Sequence, residues 1–302
     1  MNFKLTTPIL FLVFNRPDTT KKVFEEIRKA KPSKLFIAAD GPRNPEEKKK
    51  TDAVRQYVKE NIDWPCKVKT LFRNKNLGCK YAVSGAIDWF FENVEQGIIL
   101  EDDCLPSSSF FRFCQELLKK YKNDKRIMQI SGTNVGGVSK IEESYFFSKC
   151  FNAWGWATWR RAWKKYDVEM KDWKKVRFSK SFLKITTGES LLNRFKSWRL
   201  SNLTYLGNIN TWDYQWGFAC AINNGLCIVP KVNLITNMGF TETATHTGNY
   251  EKSMILTKKE LKFPLKENKI VLDSKAYKKA YSKFFKKGLL KRIVKRVFNK
   301  FI

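Results

Sequence analysis

Three short apolar runs that stop at polar or acidic residues restrict the fold more than any other feature of this chain. "PILFLVF" ends at Asn15-Arg16, "LFIAA" at Asp40-Gly41, and "GIIL" at Glu101-Asp102-Asp103. Runs of this length read as strands buried on both faces. Segments of helical pattern lie between them. In "NRPDTTKKVFEEIRKA", Val23, Phe24 and Ile27 fall on one face, and Asp18 or Thr19 is placed to cap the start. "DAVRQYVKEN" and "CKYAVSGAIDWFFENV" read as two more helices and "CKVKTLFR" as an alternating strand. The repeated strand–helix unit predicts an α/β fold with an open, mostly parallel, Rossmann-like sheet flanked by helices. Ligands bind such sheets outside the carboxyl ends of the strands. Asn15-Arg16, Asp40-Gly41 and Glu101–Asp103 are therefore expected to converge on one cleft.

Beyond the carboxylates, "SSSFFRFCQELLKKY" reads as a helix and "RIMQISG" as a strand, followed by the Trp-rich "FNAWGWATWRRAWKKYD". "TWDYQWGFACAINNG" reads as a helix, "LCIVPKVNLITN" as a strand and "MGFTETATHTGNY" as a polar loop. No linker divides the 302 residues. One large domain over residues 1–270 is expected, with a nucleotide-binding half to about 134 and a catalytic half from 135. Residues 275–302 differ in character, with eleven Lys or Arg and no acid. There Leu289, Leu290, Ile293, Val294, Val297, Phe298, Phe301 and Ile302 oppose Lys286, Lys287, Lys291, Arg292, Lys295, Arg296 and Lys300. The pattern predicts a basic amphipathic C-terminal helix, lying on an anionic membrane or packed on the domain.

A formal net charge of +29 implies an anionic partner. Nucleic acid is disfavoured, because no helix-turn-helix, zinc or RNA-recognition signature is present. Seven scattered cysteines without a CxxC pair point to reduced thiols and a cytoplasmic protein. No run resembles a signal peptide or approaches the roughly 18 apolar residues of a spanning helix.

A strand ending in adjacent carboxylates suits a hard divalent cation, Mg2+ or Mn2+, completed by substrate phosphates and water. The alternative is an acidic loop paired with some of the many lysines. Taken in order, "ILFLVFNRPD", "FIAADGPR", "NLGCKYAV", "IILEDDCLPSSSFFRF", "ISGTN", "WGWATWRRAW", "WDYQW" and "THTG" resemble the GT-A glycosyltransferases, and within them the family of N-acetylglucosaminyltransferase I and its bacterial relatives. The motifs span residues 8–250.

The resemblance implies a UDP-sugar site. Arg16 and Asp40, with Gly41 beside it, would contact the uridine end, and Glu101 and Asp102 the ribose and sugar hydroxyls. Asp103 would bind the metal. Asp213, flanked by Trp212 and Trp216, takes the place of the general base that an inverting transfer needs. Its other reading is a helix cap, and that of Arg16 is a salt bridge to Asp18. His246, in an HTG context, matches a position where many such enzymes carry a metal ligand. The glycine at 155 resembles a loop beside the donor sugar, where exposed tryptophans would stack on a sugar and Arg160 and Arg161 would meet phosphate. These tryptophans otherwise read as core.

The function expected is metal-dependent, inverting transfer of a sugar, N-acetylglucosamine by resemblance, from UDP to a glycan or lipid-linked glycan acceptor. The protein would lie peripherally on the inner face of the cytoplasmic membrane. A nucleotidyltransferase shares the sheet and the carboxylates, but would carry a Gly-rich basic loop after the first strand, and "FNRPDTTKK" has no glycine.

Overall fold

The computed structural model describes residues 3–136, 141–179, 191–239 and 256–267. Strands β1 (Ile9–Val13), β2 (Lys34–Ala39), β3 (Lys67–Phe72) and β4 (Gln96–Glu101) alternate with helices α1 (Pro17–Ala30), α2 (Pro45–Glu60) and α3 (Gly78–Asn93). Then follow β5 (Cys104–Pro106), α4 (Ser108–Lys120), β6 (Ile127–Ser131), β7 (Tyr145–Ser148) and β8 (Trp156–Trp159). Two single turns, α5 (Arg160–Trp163) and α6 (Trp173–Val176), precede α7 (Leu191–Tyr205) and α8 (Asp213–Ile222). Strands β9 (Leu226–Pro230) and β10 (Ile235–Asn237) end the described elements. No described helix is long and apolar enough to cross a membrane.

The sheet has eight strands in the order β3-β2-β1-β4-β8-β6-β9-β7. Strands β1 to β4 are mutually parallel, and β8 runs against both β4 and β6. Strand β9 is parallel to β6, and β7 antiparallel to β9. The architecture is the mostly parallel, helix-flanked α/β sheet that the apolar runs predict.

Alternation along the strands separates two cores, as a strand's period of two requires. Ile9, Phe11, Val13, Ile98 and Leu100 face α1 and α4 through Phe24, Ile27, Phe110 and Leu117. Leu10, Leu12, Phe36 and Ile99 face α3 and α8 through Ile87, Phe90 and Trp216. Burial of each such side chain stabilises the fold by about 1.5–3 kcal/mol.

Three expectations need correction. Helix α1 begins at Pro17, with Arg16 as its N-cap residue, so neither Asp18 nor Thr19 caps it. Proline's fixed φ suits the first helical position. Helix α2 begins at Pro45 rather than near Asp52, capped by Asn44, whose side chain accepts from the Glu47 N–H at 2.8 Å. "LCIVPKVNLITN" is two strands. Between them the Asn233 amide donates to the Ile235 carbonyl at 2.6 Å, and β10 leaves the large sheet to pair with β5. The expected amphipathic helix at 275–302 lies outside the described residues.

Candidate functional site

Register sets the frame. Val13 pairs with Ala39 and Leu12 with Glu101, so β1, β2 and β4 end side by side. The three polar segments expected to converge do so.

After β1 the chain turns at Asn15 and Arg16 into α1. The Arg16 guanidinium reaches across to β4 and donates to Asp103 Oδ2 at 2.6 Å, with Asp102 Oδ1 at 3.7 Å. The salt bridge to Asp18 is replaced by these partners. Burial works against the Arg16 charge, but the Asp102 and Asp103 charges outweigh it and raise its pKa. Asp102 is buried, and its other oxygen accepts the Phe14 N–H at 3.0 Å. Burial and then the Asp103 charge push its carboxyl up to about 7. Burial, followed by the charges of Asp103 and Asp102, pushes Glu101 well above the usual carboxylate range. Like charges this close disfavour joint ionisation, and the cation beside them is what offsets it.

Asp103 is cradled from the far end of the chain. Its carbonyl accepts the Met238 N–H at 2.7 Å, next to the β5–β10 pair. A Cβ at Gly239 would overlap Asp103 Oδ2, so a larger residue there would have to displace the carboxylate. Gly239 was not singled out in the sequence, where "NMGF" carries no recognisable pattern.

Asp40 is committed to local structure. Its carboxylate accepts from the Gly41, Leu77 and Gly78 N–H groups at 2.9–3.0 Å and so caps α3, which has no side-chain cap of its own. A Cβ at Gly41 would overlap the Lys75 backbone, and Asn76 donates to the Gly41 carbonyl at 2.7 Å. The Asp40-Gly41 turn and the 75–78 loop form one clasp. Arg55 fastens it, donating to the carbonyls of Asp40 and Arg73 at 2.9 and 2.7 Å. Beside it, Glu47 binds Asn15 Nδ2 at 2.7 Å and pairs with Arg43, whose hydrogen bonds hold its carboxyl below the usual range. Arg43, Glu47 and Arg55 were missed, because nothing in a charged helix distinguishes those that turn inward.

Cys79 shows how far the convergence extends. Burial first, and then the charges of Glu101, Asp213, Asp40 and Asp103, raise its thiol pKa. Four carboxylates from three chain segments thus act on one side chain. Asp213 arrives because the preceding loop docks on α3, where Asn210 Oδ1 accepts the Lys80 N–H at 3.0 Å. Asp213 is the first residue of α8, after Trp212 as N-cap. Its Oδ1 accepts from the Thr211 hydroxyl and from the Tyr214 N–H at 3.0 Å, and the residue is exposed. Trp212 and Trp216 do not shield it. They turn into the core, where Trp212 stacks on Trp156 with ring centres 5.7 Å apart.

Three of the four tryptophans of the Trp-rich segment are core, and Trp154 is half-buried. Trp156, Trp159 and Trp163 are buried, since β8 runs through the sheet between β4 and β6. Trp159 pairs with Gln96, so Arg160 and Arg161 stand at the opposite end of β4 from the carboxylates. There they bind carbonyls, Arg160 those of Phe91 and Val94, Arg161 those of Tyr121, Lys122, Asp124 and Ile127. Gly155, at φ +58°, packs against Ile235 and Leu100. His246 lies outside the described residues.

Among the described residues no three His, Cys, Asp or Glu side chains form a metal-binding group. Magnesium-type sites seldom need one, using one or two carboxylates and substrate phosphates. Asp103 fits that role, since its Oδ2 already faces a positive charge.

No protein-family model matches the chain, and no curated protein matches it. Among solved structures, it is similar to a mannosyltransferase from Pyrobaculum calidifontis in complex with GDP-Man and Mn2+, at 12% identity over 72% of this chain and 74% of that one, with a TM-score of 0.40. A UDP-glucose pyrophosphorylase complexed with UDP-glucose is 10% identical over 93% and 99% of the two chains, with a TM-score of 0.43. HddC from Yersinia pseudotuberculosis is 9% identical over 53% and 80%, at 0.34. Likenesses this distant carry no residue from one chain to another, and the functional reading rests on the site's own geometry.

Proposed function

We propose that the chain is a metal-dependent inverting glycosyltransferase of the GT-A type, akin to the N-acetylglucosaminyltransferase I family, that uses a UDP-sugar. The observation that carries this reading is the docking of the loop before Asp213 on the N-terminus of α3, the same turn that Asp40 caps at the carboxyl end of β2. In support, Asp213 is an exposed carboxylate fixed at one oxygen, and Asp103 is a carboxylate turned toward a cation.

In this reading Asp213 accepts the proton of the acceptor hydroxyl. The hydroxyl oxygen bonds to the anomeric carbon as the bond from that carbon to the diphosphate oxygen breaks, releasing UDP with inversion. Glu101 and Asp102 bind donor hydroxyls, and Asp40 with Gly41 supports the uridine end through the clasp on α3. Asp103, with His246 as the second candidate, would hold Mn2+ or Mg2+, which offsets charge on the leaving diphosphate. The donor sugar is N-acetylglucosamine and the acceptor a surface glycan or lipid-linked oligosaccharide, met at the inner face of the cytoplasmic membrane.

Incubation with UDP-N-acetylglucosamine, Mn2+ and a lipid-linked glycan fraction should release UDP. Asp213→Asn should keep donor binding and lose transfer by at least about a hundredfold, the lower range for a general base. Asp103→Ala should abolish both the metal response and transfer. Normal transfer by Asp213→Asn removes it as base, and release of pyrophosphate from UTP and a sugar 1-phosphate, with no UDP released from the UDP-sugar, marks a nucleotidyltransferase.

A further inference from the structure

Arg16 and a divalent cation would compete for Asp103. Arg16 Nη1 lies 2.6 Å from Asp103 Oδ2 and 3.7 Å from Asp102 Oδ1, and the three side chains are 27%, 15% and 9% exposed. The other Asp103 oxygen faces the Cys104 thiol at 3.4 Å, and Gly239 backs onto Oδ2. A metal that takes Asp103 must break a short charge-assisted bond. It must also come up beside a guanidinium that is 27% exposed and keeps Asp102 at 3.7 Å, and partial burial screens the repulsion of the two cations less than water would.

We propose that Arg16 is the resident counter-ion of Asp103, released only when a diphosphate arrives to take the guanidinium, so that metal and nucleotide bind cooperatively. The inference rests on the nucleotide-diphosphate reading given under Proposed function. A guanidinium fork matches phosphate oxygens as well as carboxylate oxygens. The exchange therefore keeps every charge partnered: Arg16 passes from Asp103 to the diphosphate, and Asp103 passes from Arg16 to the metal. The backbone suits such a side-chain movement. Arg16 is the N-cap residue, held in place by Pro17, and its side chain makes no capping bond. Without nucleotide, Arg16 already offsets the carboxylate charges, and a metal alone gains little there.

Calorimetric titration with Mn2+ alone tests this on the full chain. Arg16→Met, and Arg16→Gln as a second neutral variant, should bind Mn2+ at least tenfold more tightly than the wild type. In the wild type, saturating Mn2+ should tighten UDP binding by a factor within the usual range of about 5 to 150 for coupled sites. That factor should shrink in the neutral variants. Arg16→Lys, which keeps the charge, should still bind Mn2+ weakly on its own. Mn2+ affinity that is unchanged, weaker or absent in the neutral variants overturns the proposal. A wild type that binds Mn2+ as tightly without UDP as with it does so without any variant. Failure of UDP to bind at any Mn2+ concentration overturns the donor assignment instead, and the Mn2+-alone comparison still decides the role of Arg16.

Discussion

The Thr211 hydroxyl and the Tyr214 N–H donate to the same oxygen of Asp213, which leaves Oδ2 without a partner among the described residues. Fixing one oxygen restricts the carboxylate's rotation and presents the other to an acceptor hydroxyl. Thr211→Val keeps the side chain's shape and removes the donor. One hydrogen bond contributes about 0.5–1.5 kcal/mol, so the transfer rate should fall up to about tenfold. Donor affinity should stay unchanged and Thr211→Ser should restore the rate. Equal losses in rate and donor binding would argue against positioning.

Asp102 gives a pH prediction with a definite sign. Burial and the Asp103 charge push its carboxyl up to about 7 in the folded site, above the roughly 3.9 of a free aspartate. A raised value means that the folded state favours the protonated form. Its contribution to stability is therefore full below about 4 and is lost as pH rises toward 7 and beyond. In EDTA, the urea midpoint of the wild type should fall relative to Asp102→Asn across that window, and parallel curves would remove the assignment. The carboxylates were legible as a group because they end an apolar run. The partner of Arg16 was not: the sequence offers Asp18 two positions away, whereas the observed partner, Asp103, is 87 positions away.

Helix α3 shows the same limit at the scale of an element. Its body is legible from its apolar face, but its N-terminus carries Leu77, which has no side chain able to cap. The acceptor comes from Asp40, 37 and 38 residues earlier, and only the sheet brings the two together. Asp40→Ala should leave the Leu77 and Gly78 N–H groups unpaired and destabilise the protein by about 1–2 kcal/mol, as loss of a cap does. Hydrogen exchange should speed up in the first turn of α3 before it changes elsewhere. Uniform loss of protection would show that Asp40 supports the whole sheet instead. The starts of α1 and α2 carry local signals that the expected cap at Asp18 or Thr19 and the expected start at Asp52 passed over. Pro17 and Pro45 mark first helical positions, and Asn44 with Glu47 has the spacing of a capping pair. Strands β5 and β10, three residues each, show no period to read.

Across the whole molecule, the half of the sheet from β3 to β4 follows from simple alternation of strand and helix, and it carries most of the site. The other half does not, because β8 inserts antiparallel between β4 and β6 from a Trp-rich segment whose composition fits core and binding surface equally. Its arginines look like anion binders in sequence and act as fasteners for carbonyls at helix and loop ends. Charge is therefore a poor guide to partners within this domain, and a better one where it gathers without acids. Eleven of the 58 Lys and Arg residues fall in residues 275–302. Each basic residue near an anionic bilayer contributes about 1 kcal/mol, over a distance set by salt. Deleting residues 275–302 should reduce binding to vesicles containing phosphatidylglycerol by more than about tenfold, and raised salt should weaken the full chain far more than the truncated one. The truncated protein should keep its urea midpoint and its UDP release toward a water-soluble acceptor. Loss of stability on truncation would instead identify the segment as a helix packed on the domain, and vesicle binding that survives deletion would move the membrane contact to the sheet domain's own lysines.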